Sequence, residues 1–247
     1  MKKILLIGAL VVAFQTTYAQ VTLIPKAGLT SSDIKTKIDE PRGGSDVGFS
    51  ASDAQTKLGF TVGVGINIPI TKALSFQPEV SFIQKGRSAV VHVDAVTVGD
   101  IVIGHYDAES KLTLNYLEIP VLAKYTVSLA KGATQLFVVA GPSFALGVGG
   151  KLKQETTYSD RGVITTTSNE ANVKFGSKTF STDEYGVERR GDIGLQTGLG
   201  ALLFKKIMID VRYTFGMTKL WDFEDIDIST KNRVLQFTVG VPFTLKK

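Results

Sequence analysis

The sequence predicts an all-β fold: an eight-stranded antiparallel transmembrane β-barrel with long external loops. Three observations carry that expectation. The first lies in residues 57–70, where Leu58, Phe60, Val62, Val64, Ile66, Ile68 and Ile70 alternate with Gly59, Thr61, Gly63, Gly65, Asn67 and Pro69. Side chains alternate across a strand, so one face is wholly apolar and the other is nearly bare backbone. A water-facing strand would carry Lys, Glu or Thr instead of glycines. Lipid on one side and a crowded lumen on the other fit the pattern. The second observation is that alternating segments recur eight times. The third is that the connections between them alternate strictly between short and long.

The elements follow in order. Residues 1–19 read as a signal peptide: Lys2 and Lys3, an apolar run from Ile4 to Phe14, and small residues before Ala19. That run falls short of the roughly 20 residues a spanning helix needs. Residues 20–247 then form one outer-membrane barrel domain. No later stretch is long and apolar enough for a transmembrane helix, and only helices and closed barrels satisfy every backbone group in lipid. The chain has no cysteine, which excludes a lipid-anchored precursor and a disulfide scaffold. Its net charge is +5; removing residues 1–19 takes away two lysines and no acid, leaving +3. That is too mild to imply nucleic acid.

The eight segments are residues 21–30, 57–70, 73–85, 112–126, 134–148, 191–204, 206–219 and 233–245. Each reaches the roughly 9–11 residues of a tilted transmembrane strand. Residues 71–72, 127–133 and 205 are short links. Residues 31–56, 86–111, 149–190 and 220–232 are long ones. Barrels of the Gram-negative outer membrane have short periplasmic turns and long external loops, and an even strand number puts both termini on the periplasmic side. Facing lipid should be Leu74, Phe76, Val80 and Phe82, then Leu117, Ile119, Val121, Ala123 and Tyr125, with equivalent rows from Ile193, Ile207 and Leu235 onward. Facing inward should be Lys26, Glu79, Glu118, Lys124, Asp192, Asp210 and Arg212, among Gly194, Gly198, Gly200, Gly216 and Gly240. A soluble barrel with the apolar face inside would have to cover its surface in glycine; lumen glycine is easier to explain.

The run from Asn115 to Tyr125, Asn-Tyr-Leu-Glu-Ile-Pro-Val-Leu-Ala-Lys-Tyr, resembles the Tyr-Leu-Glu-Ile-Pro signature of the outer-membrane β-barrel family often labelled porin-like or PorT-like. Pro78-Glu79, Gln84-Lys85-Gly86, Gly141-Pro142, Lys174-Phe175-Gly176, Asp192-Ile-Gly-Leu195, Val211-Arg212-Tyr213 and Asn232-Arg233 resemble further blocks. The resemblance covers nearly all of the chain after residue 19 and implies fold and outer-membrane residence. For function the likeness is associational.

Catalytic motifs are scarce. There is no Gly-x-Ser-x-Gly elbow. The run Gly147 to Leu152 lacks the leading Gly and the Ser/Thr of a phosphate loop, and reads as a strand entering a loop. The set Glu79, Glu118, Lys124, Asp210 and Arg212 could be taken to hold the paired carboxylates of a hydrolase, but buried charges must be matched, so it reads as an ion-paired plug. Lys124 and Arg212 are the long cations expected to separate the carboxylates.

The external segment 86–111 should extend the wall as a hairpin about a Gly99-Asp100 turn. Folding there pairs Val98 with Ile101, Val96 with Ile103, Asp94 with His105 and His92 with Asp107. The two His–Asp pairs read as surface pairs in preference to a metal site. In 220–232, Trp221 and Phe223 should sit in the outer aromatic belt, beside Asp222, Glu224, Asp225 and Asp227 whose spacing is not that of an EF-hand. The Thr/Ser-rich segment 149–190 is expected to be mobile or to bind a partner.

The expected function is that of a monomeric, non-enzymatic barrel without cofactor or catalytic residues. It would contact outer-membrane lipid and act through its external loops, or within an envelope or secretion assembly or in adhesion. A narrow channel for small solutes is the alternative, and a lipid-acting enzyme ranks third.

Overall fold

The computed structural model describes residues 20–38, 53–93, 96–98, 101–103, 105–129, 134–160, 163–221 and 228–245. Residues 1–19, which the sequence reads as a signal peptide, lie outside the described residues. The strands are β1 (Thr22–Ile38), β2 (Asp53–Gln55), β3 (Lys57–Pro69), β4 (Leu74–Val93), β5 (Val96–Val98), β6 (Ile101–Ile103) and β7 (His105–Leu129). They continue as β8 (Thr134–Asp160), β9 (Val163–Phe175), β10 (Glu184–Val187), β11 (Gly191–Leu203), β12 (Ile207–Gly216), β13 (Ile228–Gly240) and β14 (Phe243–Thr244).

Eight of them close a ring. β1, β3, β4, β7, β8, β11, β12 and β13 pair in that order, each antiparallel to the next, and β13 returns to β1. Lys26 marks the closure: it stands opposite Gly63 on one side and Gly240 on the other. The ring leaves the barrel wall without a free edge, which lipid requires. The outward rows are those expected from the alternation. Leu58, Phe60, Val62, Val64 and Ile66 are exposed on β3, Leu117, Ile119 and Tyr125 on β7, Leu195 and Leu199 on β11, and Leu235, Phe237 and Val239 on β13.

The described strands run further outward than the alternation suggests. β1 continues to Ile38, still paired with β13 down to Ile228. β4 and β7 stay paired as far as Val93 and Tyr106, and β7 and β8 as far as His105 and Ser159. Residues 151–160 do not enter a loop. They pair with β9 from Asp160↔Val163 to Lys151↔Asn172, and β10 adds a parallel strand to β9. The reason is physical. Once the wall leaves the membrane its outward side chains turn polar, so hydropathy stops alternating while the backbone ladder continues. The segment 149–190 is therefore mostly sheet, not one long loop.

Two glycines permit the change from barrel to outer sheet. Gly86 has φ +146°, and a Cβ there would meet the Leu112 carbonyl oxygen at 1.9 Å. Across from it the β7–β8 register slips between Asn115 and Tyr116, which face Gly149 (φ +151°) and Gly147. Bulges of this kind bend a wall at a barrel rim. At the opposite end, the β11–β12 link is a tight turn with Phe204 at φ 53° and Lys205 at φ 57°, closed by the Lys206 N–H donating to the Leu203 carbonyl at 2.9 Å. Two consecutive positive φ values make it a type I′ turn, the form whose twist suits a two-residue hairpin.

Candidate functional site

The lumen is filled in layers. At the short-turn end Ile24, Leu122, Phe137, Val139 and Met208 form an apolar cap. Polar and charged side chains occupy the middle. Above them lies a second apolar layer that includes Ile34, Ile83, Leu112, Leu114, Tyr116 and Trp221. An eight-stranded barrel has just enough interior for side chains to fill, and here they do.

All seven inward charges expected from the sequence are buried in this interior. The lower middle holds Lys26, Glu79, Asp210 and Arg212, two cations against two carboxylates. Lys26 donates to Glu79. Arg212 donates from Nη1 to Glu79 Oε2 at 2.8 Å and from Nη2 to Asp210 Oδ2 at 3.1 Å. Gln77 donates to the other Glu79 oxygen at 2.6 Å, and Thr238 to Asp210 Oδ1 at 2.8 Å. The space for Arg212 comes from Gly198 opposite it: a Cβ there would lie 2.7 Å from Arg212 Cγ.

The upper middle is organised by a residue that the sequence reading left off its inward list. Lys85 donates to Glu118 Oε1 at 3.1 Å and to Asp192 Oδ2 at 3.2 Å, joining β4, β7 and β11. Asn232 adds a donor to Asp192 Oδ2 at 2.8 Å. The signal was available, since Lys85 shares the odd parity of Glu79 and so faces inward. It was hidden by ending the third strand at that residue. Lys124 is correspondingly corrected. It separates no carboxylates, and among the described residues it forms no ion pair. Its ammonium lies 4.1 Å from the Phe137 ring centroid, within the lower apolar cap. An aromatic face attracts a cation, and the lysine stem packs with its apolar neighbours.

Outside the membrane, β5 and β6 pair Val96 with Ile103 and Val98 with Ile101, and β4–β7 places His92 opposite Asp107. His105, on β7, stands opposite Ser159 of β8. Asp94 and the Gly99-Asp100 turn lie outside the described residues, as do Asp222, Phe223, Glu224, Asp225 and Asp227. Trp221 does not join a lipid belt. It is buried over the outer mouth, with its indole N–H donating to the Gly186 carbonyl at 3.0 Å and its ring edge-on to Tyr185. On the outer sheet Lys151 and Lys153 both reach Glu170, and the hydrogen bond from Lys151 is foremost in holding its carboxyl below the usual range.

The family model for the outer membrane protein β-barrel domain matches residues 17–222. The chain belongs to this family. The outer-membrane β-barrel assignment agrees with the closed ring and its lipid-facing rows, and it places the protein in the outer membrane, in contact with lipid. Solved structures similar to this chain include Ail, the attachment invasion locus protein of Yersinia pestis (13% identity, 91% of this chain and 99% of that one, TM-score 0.37). They also include OprG from Pseudomonas aeruginosa (11% identity, 92% and 97%, TM-score 0.39). The outer membrane protease OmpT from Escherichia coli is a third (10% identity, 94% and 99%, TM-score 0.32). No curated protein matches this family member in sequence.

Proposed function

We propose that this outer-membrane barrel is a non-enzymatic structural and interaction component, working through its outer sheet in an envelope or secretion assembly or in adhesion. The supporting observation is strand length. β7 and β8 run 25 and 27 residues, more than twice the roughly 9–11 needed to cross the membrane. The excess, with β9 and β10, is an ordered sheet held outside the membrane and faced with exposed threonine, lysine and glutamate. A rigid scaffold that displays such a surface suits recognition. The filled lumen supports this reading over a channel. The lumen carboxylates support it over an enzyme, because Glu79, Glu118, Asp192 and Asp210 are each engaged by a cation inside the wall.

The test is co-purification from gently solubilised envelopes. Intact protein is compared with a variant in which residues 153–170 are replaced by Asn-Gly. Leu152 and Ala171 are cross-strand partners, so a two-residue turn joins them without disturbing the barrel. A stoichiometric partner present with the intact chain and lost with the shortened one is the expected result. Identical protein sets from both would count against the outer sheet as the working surface.

A further inference from the structure

The outer sheet pairs its lysines with carboxylates. Lys151 and Lys153 share Glu170, Lys111 reaches Glu109 and Lys174 reaches Glu184. Across the ring from β8, the outer ends of β1 and β13 are built differently. Lys35 stands directly opposite Lys231, and Arg233, one outward position nearer the membrane, stands opposite Asp33. These four share the parity of the exposed, lipid-facing Leu29, Leu235 and Phe237, so they lie on the outside of the wall. Like charges directly opposite each other on a ladder are destabilising. Among the described residues, Lys35, Lys231 and Arg233 form no ion pair. Asp33 does not neutralise Arg233, whose guanidinium lies on the other side of β13, 5.2 Å from the Phe215 ring centroid on β12.

The height of these cations matches a lipid headgroup. Leu235 is the last apolar side chain of the outward row on β13. A rise of about 3.4 Å per residue on a strand tilted by about 40° puts Arg233 about 5 Å beyond Leu235 and Lys231 about 10 Å beyond it. The polar region of a bilayer is about 5–8 Å deep on each side, so Arg233 falls within it. The long stems of Lys35 and Lys231 can reach back to the same level. We infer that the β1–β13 face binds an outer-leaflet lipid with an anionic phosphate headgroup, held by Lys35, Lys231 and Arg233, its acyl chains along Leu29, Leu235 and Phe237. A phosphate between the two lysines turns a repulsion into two attractions. A guanidinium stacked on an aromatic ring still presents its N–H edge to phosphate. The site is independent of the partner surface proposed above, which lies on β8, β9 and β10.

The test compares two lipids with the same acyl chains. The full chain, folded in dodecyl maltoside, is offered equal amounts of dimyristoyl phosphatidate and dimyristoyl phosphatidylcholine, and the lipid it retains is identified by native mass spectrometry. Phosphatidate should be preferred by at least about tenfold, a modest return for three cations at a membrane surface. Lys35→Gln combined with Lys231→Gln should abolish the preference. Lys151→Gln combined with Lys153→Gln removes the same charge from across the ring and should leave the preference intact. An excess of inorganic phosphate should not displace the lipid. Equal retention of the two lipids by the unmutated protein would overturn the inference. So would a preference that survives in the Lys35, Lys231 variant, that is lost alike in both variants, or that free phosphate abolishes. The first comparison needs no variant, so it decides the matter even if a variant fails to fold.

Discussion

Arg212 and Glu79, 133 residues apart in sequence, meet inside the barrel with Nη1 2.8 Å from Oε2. Arg212 stands on the seventh strand of the ring and Glu79 on the third, so their bond crosses the lumen and does not follow the wall. It is the clearest evidence that the interior is occupied by its own side chains. Arg212→Ala would leave the buried Glu79 and Asp210 short of a cation, which should cost about 3–5 kcal/mol. Reversible urea unfolding in lipid vesicles measures it. An unchanged midpoint would remove Arg212 from this role.

Lys85 and Lys124 look alike in the sequence and should behave differently. Lys85→Met strands Glu118 and Asp192 together and should cost about 3–5 kcal/mol. Lys124→Met exchanges an ammonium above Phe137 for an apolar side chain of similar shape, and should change stability by less than about 1 kcal/mol. Thermal unfolding of the two variants side by side checks the contrast. Equal losses would show that Lys124 has a carboxylate partner after all.

Val64 faces lipid and Gly63 faces the lumen. Val64→Arg should cost about 2–4 kcal/mol by placing a charge near mid-membrane. Gly63→Arg should fail for a different reason, since even a Cβ there would lie 2.4 Å from the Val80 carbonyl oxygen. The assay is folding yield into bilayers of two thicknesses. Only the Val64 variant should be sensitive to thickness, and insensitivity in both would mean the facing is wrong.

The β11–β12 turn asks two side-chain-bearing residues to adopt positive φ. Lys205→Gly removes the Cβ conflict at one of them and should stabilise the barrel by about 1 kcal/mol. Urea unfolding is again the measure, and a loss of stability would mean that Lys205 holds a contact worth more than the strain.

The barrel was legible in the sequence because lipid imposes a strong signal. A row such as Leu58 to Ile70 has no other good explanation, and parity then sends Lys26, Glu79 and Arg212 inward without further information. What lay beyond the lipid was less legible. The His92↔Asp107 and Val96↔Ile103 registers could be read only because a turn signal fixed the hairpin. No such signal marked the pairing of residues 151–160 with β9, where Thr, Ser, Lys and Glu face water on both sides. Trp221 was misplaced for a related reason. A tryptophan near a strand end fits an interfacial belt as well as it fits a cover over the mouth, and its Gly186 partner is visible only in three dimensions. Which cation meets which carboxylate was equally hidden, since it depends on height within the lumen.

The filled lumen is the central claim, and ion conduction tests it most directly. Purified protein is reconstituted into planar bilayers and recorded at fixed voltage. The cap of Ile24, Leu122, Phe137, Val139 and Met208, the ion-paired middle and the upper apolar layer fill the lumen among the described residues. The expected record is flat, with no steady single-channel steps. Steady, large steps from the unmutated protein would contradict the account and make the barrel a pore.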